Sequence, residues 1–138
     1  AMAEEQTLFT GDHVMGWSTT VIPAPDGDLA DYMDGLSRLL GRSETTYRPT
    51  HGPAITDPVP FVAALLSHRL HREEQIVAAL GAGPMDIAAL VGDIYSDIDE
   101  ALHKAAGASV FAHLLALQRK GRATADPGPD PEAKWFLN

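Results

Sequence analysis

The chain has 138 residues, 45% of them apolar, and a formal net charge of −9. That length suits one domain or two small pieces, the apolar content excludes wholesale disorder, and no apolar run approaches the ~20 residues of a membrane span. No basic-then-apolar leader is visible at the N-terminus, and the absence of cysteine excludes disulfides and thiolate metal sites, so a cytoplasmic protein without a membrane partner is expected.

In chain order, residues 7–12 (TLFTGD) predict a short buried strand ending at a glycine, and residues 18–23 (STTVIP) predict a second, closed by Pro23. After a turn, Asp28 is placed to cap a helix over 29–41, with Leu29, Tyr32, Met33, Leu36, Leu39 and Leu40 on one face and Gly41 as its stop. Residues 45–58 predict a short strand running into a loop rich in Gly and Pro. Asp57-Pro58 then opens a long helix to about residue 83, with Val62, Leu65, Leu66, Arg69, Ile76, Val77 and Leu80 at roughly helical spacing. Shorter helices are expected at 85–95, 99–106 and 109–121, followed by a strand at 122–126, a turn at 127–133 and a last strand at 134–137. Helices followed by a hairpin form a winged-helix pattern. The expected class is α+β, with α/β material over 1–57 and a mostly helical winged-helix domain over 58–138.

The charge is uneven along this layout. Residues 1–59 carry nine acids against Arg38, Arg42 and Arg48, whereas residues 60–126 carry eight acids and six Lys/Arg. Whole-chain attraction to nucleic acid is therefore excluded, while a local basic patch in the second half is not.

LFTGDHVMGWSTTVI (8–22), PDGDLADYMDGLSRLL (25–40) and YRPTHGP (47–53) together resemble the C-terminal portion of a metallo-β-lactamase-fold hydrolase. Everything after Pro58 resembles the β-lactamase-associated winged-helix domain found at the end of one branch of that superfamily, a branch that includes a mitochondrial endoribonuclease. The resemblance covers almost the whole chain, and its motifs are specific in combination: a strand ending in Gly-Asp, a later His-Gly-Pro, then a winged helix. It implies a dinuclear parent enzyme, with two divalent ions, zinc by expectation, hydrolysing an ester, thioester or phosphodiester. It gives Asp12 the role of bridging the two ions and His51 that of binding the second. The chemistry suits the residue types: a carboxylate has two oxygens and can serve two ions about 3.5–4 Å apart, whereas an imidazole serves one. His13, Trp17, Ser18 and Thr19 adjoin the Gly-Asp corner and are expected to line the parent's pocket.

The chain departs from that family at one decisive point. The His-x-His-x-Asp-His metal motif is absent, and no two of His13, His51, His68, His71, His103 and His113 are two positions apart. The chain thus reads as a fragment, inactive alone and without a stoichiometric metal of its own. A rival reading is a non-enzymatic winged-helix module that meets a protein partner or RNA. A third has another polypeptide supplying the missing N-terminal half.

Other candidates carry less. His68 and His71, three apart on the long helix, are expected to form a polar face rather than a metal pinch. Tyr32 is expected in the core. A base-reading helix needs Arg, Lys, Asn or Gln near its N-terminal turns; here that region is KAAGASVFAH (104–113), so sequence-specific DNA binding is not expected. Arg119, Lys120 and Arg122 cluster at the helix end and wing start, where they could touch phosphate without reading sequence, which leaves a weak RNA contact open. Phe9, Val14, Val21 and Ile22 belong to strands with open edges, so a homodimer is expected.

Overall fold

A computed structural model describes residues 6–11, 29–50 and 52–138. The strand expected at 18–23, the cap expected from Asp28, and Val14, Val21 and Ile22 lie outside the described residues.

Strand β1 (Thr7–Gly11) pairs in parallel with β2 (Thr46–Pro49), matching Thr7 with Thr46, Leu8 with Tyr47 and Phe9 with Arg48. The register then shifts, so that Gly11 stands beside Pro49. A parallel connection needs a crossover, and helix α1 (Leu29–Leu39) lies in the crossing segment. Leu29, Tyr32, Met33 and Leu36, at positions i, i+3, i+4 and i+7, are its buried side chains, the face expected from the sequence. Tyr47 is buried, and its phenol donates to the Leu39 carbonyl at 3.0 Å, satisfying one of the acceptors left open at the end of α1. The Tyr47 and Ile55 backbones exchange hydrogen bonds of 2.9 and 2.8 Å across the loop that follows β2.

Helix α2 (Pro58–Leu80) is 23 residues long, hence about 35 Å. It serves both compact units of the chain: residues 30–70 with β1, and residues 71–138. These units divide inside α2, between Leu70 and His71.

The second unit contains α3 (Ile87–Ile94), a single 3-10 turn at Glu100–Leu102, α4 (His103–Arg119) and the antiparallel hairpin β3 (Ala123–Asp126) and β4 (Lys134–Leu137). Asp86 caps α3, its carboxylate accepting from the Ala89 amide at 2.8 Å. The two helices expected at 99–106 and 109–121 are corrected to one continuous α4 with a 3-10 lead-in. Gly107 lies between the two expected segments, and glycine costs about 1 kcal/mol within a helix. The site does not demand it: a Cβ there would meet Ile87 Cγ2 at 3.5 Å and Val91 Cγ2 at 4.0 Å, ordinary packing distances. The end of α4 does need glycine. Gly121 has φ +72°, its amide donates to Gln118 O at 2.9 Å, and the Arg122 amide donates to Leu117 O at 2.9 Å. That paired arrangement satisfies two terminal carbonyls and turns the chain into β3.

The core of this unit draws Ile76 and Leu80 from α2, Leu90 and Val91 from α3, Val110, Leu114 and Leu117 from α4, and Trp135 from β4. Phe111 meets the fully buried Trp135 edge-on, with ring centroids 6.3 Å apart at 68°. Met85, just ahead of α3, bridges to Trp135 through two backbone hydrogen bonds of 2.9 and 2.8 Å, adding a third partner to the hairpin. Among the described residues no helix is long and apolar enough to cross a membrane.

Candidate functional site

Asp12 and His51, the expected metal ligands, lie outside the described residues, as do His13, Trp17, Ser18 and Thr19. The described strands nevertheless lead to both positions. β1 ends at Gly11, the sequence neighbour of Asp12, and β2 ends at Pro49, two residues before His51. Gly11 and Pro49 are paired, so both segments leave from the carboxyl edge of one parallel strand pair. In parallel α/β sheets, ligands collect beyond that edge. Gly52, next after His51, has φ +95°, a conformation that glycine adopts without penalty and other residues rarely do. The glycine of His-Gly-Pro is therefore dictated by the backbone.

The surroundings of β2 are charged on one side and dry on the other. Arg42 and Glu44 form a two-point ion pair at the surface, with Arg42 Nε donating to Glu44 Oε2 at 3.0 Å, and this pairing holds the Glu44 carboxyl below its ordinary range. Burial pushes the Tyr47 phenol above its ordinary value. Tyr32 is in the core as expected, with the Arg69 guanidinium 5.6 Å from its ring centroid. His68 and His71 are exposed on α2, and no group of three or more His, Asp or Glu suited to a metal occurs among the described residues.

The basic cluster at the wing start is organised around an acid. Lys120 Nζ is 3.5 Å from Glu73 Oε2, and Arg122 Nη1 is 3.2 Å from Glu73 Oε1. The Glu73 residue is only 6% exposed, whereas the Lys120 and Arg122 side chains are 42% and 50% exposed, so the cations reach inward from the surface to a buried carboxylate on α2. Arg119, at the last position of α4, is exposed. Part of the positive charge that would meet a phosphate is already compensated within the protein.

Sequence reasoning missed Glu73, because HREEQ looks like a solvated helix face. The signal was its place in the row 69, 73, 76, 80, which coincides with the buried residues of α2. It also missed the Met85–Trp135 bridge, since one paired residue leaves no periodic pattern.

Residues 87–135 match the family model of the beta-lactamase associated winged helix domain, the span from α3 to β4. The chain is 31% identical over 134 residues to a beta-lactamase-like protein 2 homolog from Drosophila melanogaster, covering 93% of this chain and 44% of that protein. It is 28% identical over 144 residues to an atrochrysone carboxyl ACP thioesterase from Aspergillus chevalieri, covering 99% of this chain and 46% of that protein. The crystal structure of a metallo-beta-lactamase family protein from Thermus thermophilus superposes with a TM-score of 0.75 at 22% identity, over 98% of this chain and 43% of that one, a likeness of fold. The winged-helix match, the relatives and the shared fold together point to the C-terminal part of a metallo-β-lactamase-type protein with an attached winged helix. It spans less than half the length of the curated relatives it matches.

Proposed function

We propose that this chain carries the C-terminal share of a metal-dependent hydrolase acting on an ester, thioester or phosphodiester, with Asp12 bridging two divalent ions, zinc in our reading, and His51 binding the second. The observation that supports the reading is the parallel pairing of β1 and β2, with Gly11 beside Pro49, from which the Asp12 and His51 segments both depart. The donor chemistry fits, as one carboxylate and one imidazole are what a shared and an unshared position require. When bound, such ions supply an activated water and neutralise developing negative charge. The chain's own part is to hold the two donors at neighbouring strand ends, with the turn at Gly52 shaping the approach of His51 and with His13, Trp17, Ser18 and Thr19 lining the pocket. The relative named a thioesterase lends weight to a thioester substrate. Catalytic zinc takes about three protein ligands plus a water, so with two donors the chain alone is inactive and needs further ligands, from an N-terminal half in the same or another polypeptide.

Zinc titration of the chelator-treated chain by calorimetry, beside Asp12→Ala and His51→Ala, tests this. Weak binding that falls further in both variants supports a partial site, and weak binding that both leave unchanged would remove Asp12 and His51 as donors. Stoichiometric sub-micromolar binding lost in both would show a site assembled here and overturn the inactivity of the chain alone.

A second reading, a winged-helix module that meets a protein partner, is favoured by the N-terminal half of α4, where residues 105–111 are all small or apolar. Sequence-specific DNA readout is disfavoured for the same reason. Weak RNA contact through Arg119, Lys120 and Arg122 would have to compete with Glu73, and Lys120→Glu or Arg122→Glu should then weaken a salt-sensitive complex. Homodimerisation through the β1 edge is part of this proposal, since Phe9 on that strand is 59% exposed. Light scattering that reports a strict monomer would remove it. The lack of cysteine supports a reducing, cytoplasmic setting.

A further inference from the structure

A groove of about 670 Å³ runs along α4 within the second unit. Its lining includes Phe111 and Leu115 of α4, Ile87 of α3, and Pro129 and Pro131 of the loop between β3 and β4. Proline has no amide hydrogen to offer, so the loop presents carbon to the groove although the sequence around it is polar. Asp130, between the two prolines, turns to its own loop and accepts from the Glu132 amide at 2.8 Å. Among the described residues, the one charged side chain in the lining is Lys104, in the first turn of α4. It is exposed and has no ion-pair partner among the described residues. A cation in the first turn also opposes the helix dipole, so nothing in α4 itself favours it there. Along α4, Lys104 to Leu115 spans about 16 Å.

We propose that this groove binds an apolar carboxylate of medium length, with the carboxylate on the Lys104 ammonium and the hydrocarbon body along Phe111 and Leu115 between the wing prolines. The volume falls within the range of about 300–1,000 Å³ typical of small-ligand clefts. Charge complementarity selects a single negative head: the chain carries a net charge of −9 and opposes a polyanionic partner, while one lysine at one end of an apolar trough suits one carboxylate. The proposal stands apart from the metal site and does not depend on it.

The test is calorimetric titration of the whole chain with octanoate and, separately, 1-octanol. Wild type should bind one octanoate per chain, and octanol at least tenfold more weakly. Lys104→Glu should weaken octanoate at least tenfold. Ala108→Trp, which fills the groove from an exposed position on α4, should abolish binding, with circular dichroism confirming that both variants fold. If Ala108→Trp does not fold, Lys104→Glu alone decides. Absence of saturable octanoate binding, equal affinity for octanol, or an unchanged affinity in Lys104→Glu would each overturn the proposal. A dimer of the wild type that Ala108→Trp dissolves, with no octanoate bound, would assign the groove to a second copy and overturn it as well.

Discussion

The two compact units differ in how they reach stability. The second closes a core of its own: three helices and a hairpin converge on Trp135, and the backbone bridge from Met85 fastens the far edge. Among its described residues, the first has a two-stranded parallel sheet, α1 and the first half of α2, with Tyr47 and Leu36 buried and Phe9 open to solvent. Two strands are rarely stable without more strands or packing helices. The contrast teaches that the second unit supplies a core of its own, whereas the described part of the first rests on few packed side chains.

The sharpest way to break this contrast is to damage each core. Trp135→Ala should cost about 3–5 kcal/mol and collapse protection of α3, α4 and the hairpin, read by urea unfolding and hydrogen exchange. Leu36→Ala, also at 0% exposure, should cost about 2–3 kcal/mol and leave exchange in α4 untouched. If the amides of α4 speed up equally in both variants, the units are not independent modules. The double change Lys120→Ala with Arg122→Ala strips the buried Glu73 carboxylate of both its cations and should cost about 1–3 kcal/mol, although the cations themselves are about half exposed. Smaller effects sharpen the picture. Gly121→Ala forces a residue with a Cβ into positive φ and should lower stability by about 1 kcal/mol. Tyr47→Phe should cost about 1 kcal/mol near neutrality through the lost hydrogen bond, and it should also change the response to alkali. The folded phenol ionises above its ordinary value of 10.0, so its contribution is fully present below about pH 10 and is lost as pH climbs through the folded value. Wild type should therefore destabilise in that window, and the variant should lose that part of the alkaline fall.

Much of this was legible in the sequence. The face Leu29–Tyr32–Met33–Leu36, the span of α2 and both hairpin strands follow from periodicity and from glycine and proline punctuation, because those signals are local. The unbroken α4 was not legible, since a glycine inside a helix reads as a stop until the packing of α4 on α3 holds the helix together. Glu73 was not legible because a buried acid and a solvated one look alike until their cations are placed. Asp12 and His51 stood out through motif rather than pattern, and the structure adds what the motif could not: the strands leading to them are neighbours in register.

The Met85–Trp135 bridge also bears on the order of events during synthesis. It joins residues fifty positions apart, and the side chain at its far end is the hub of the core. Helices α3 and α4 can form as local structure while the chain is still emerging from the ribosome, but they have nothing to close around until Trp135 arrives. Through that interval, Ile87, Val110 and Phe111 stay uncovered. Any chaperone that protects this polypeptide should therefore act latest on its C-terminal half, and truncation just before Trp135 should yield a helical but sticky chain.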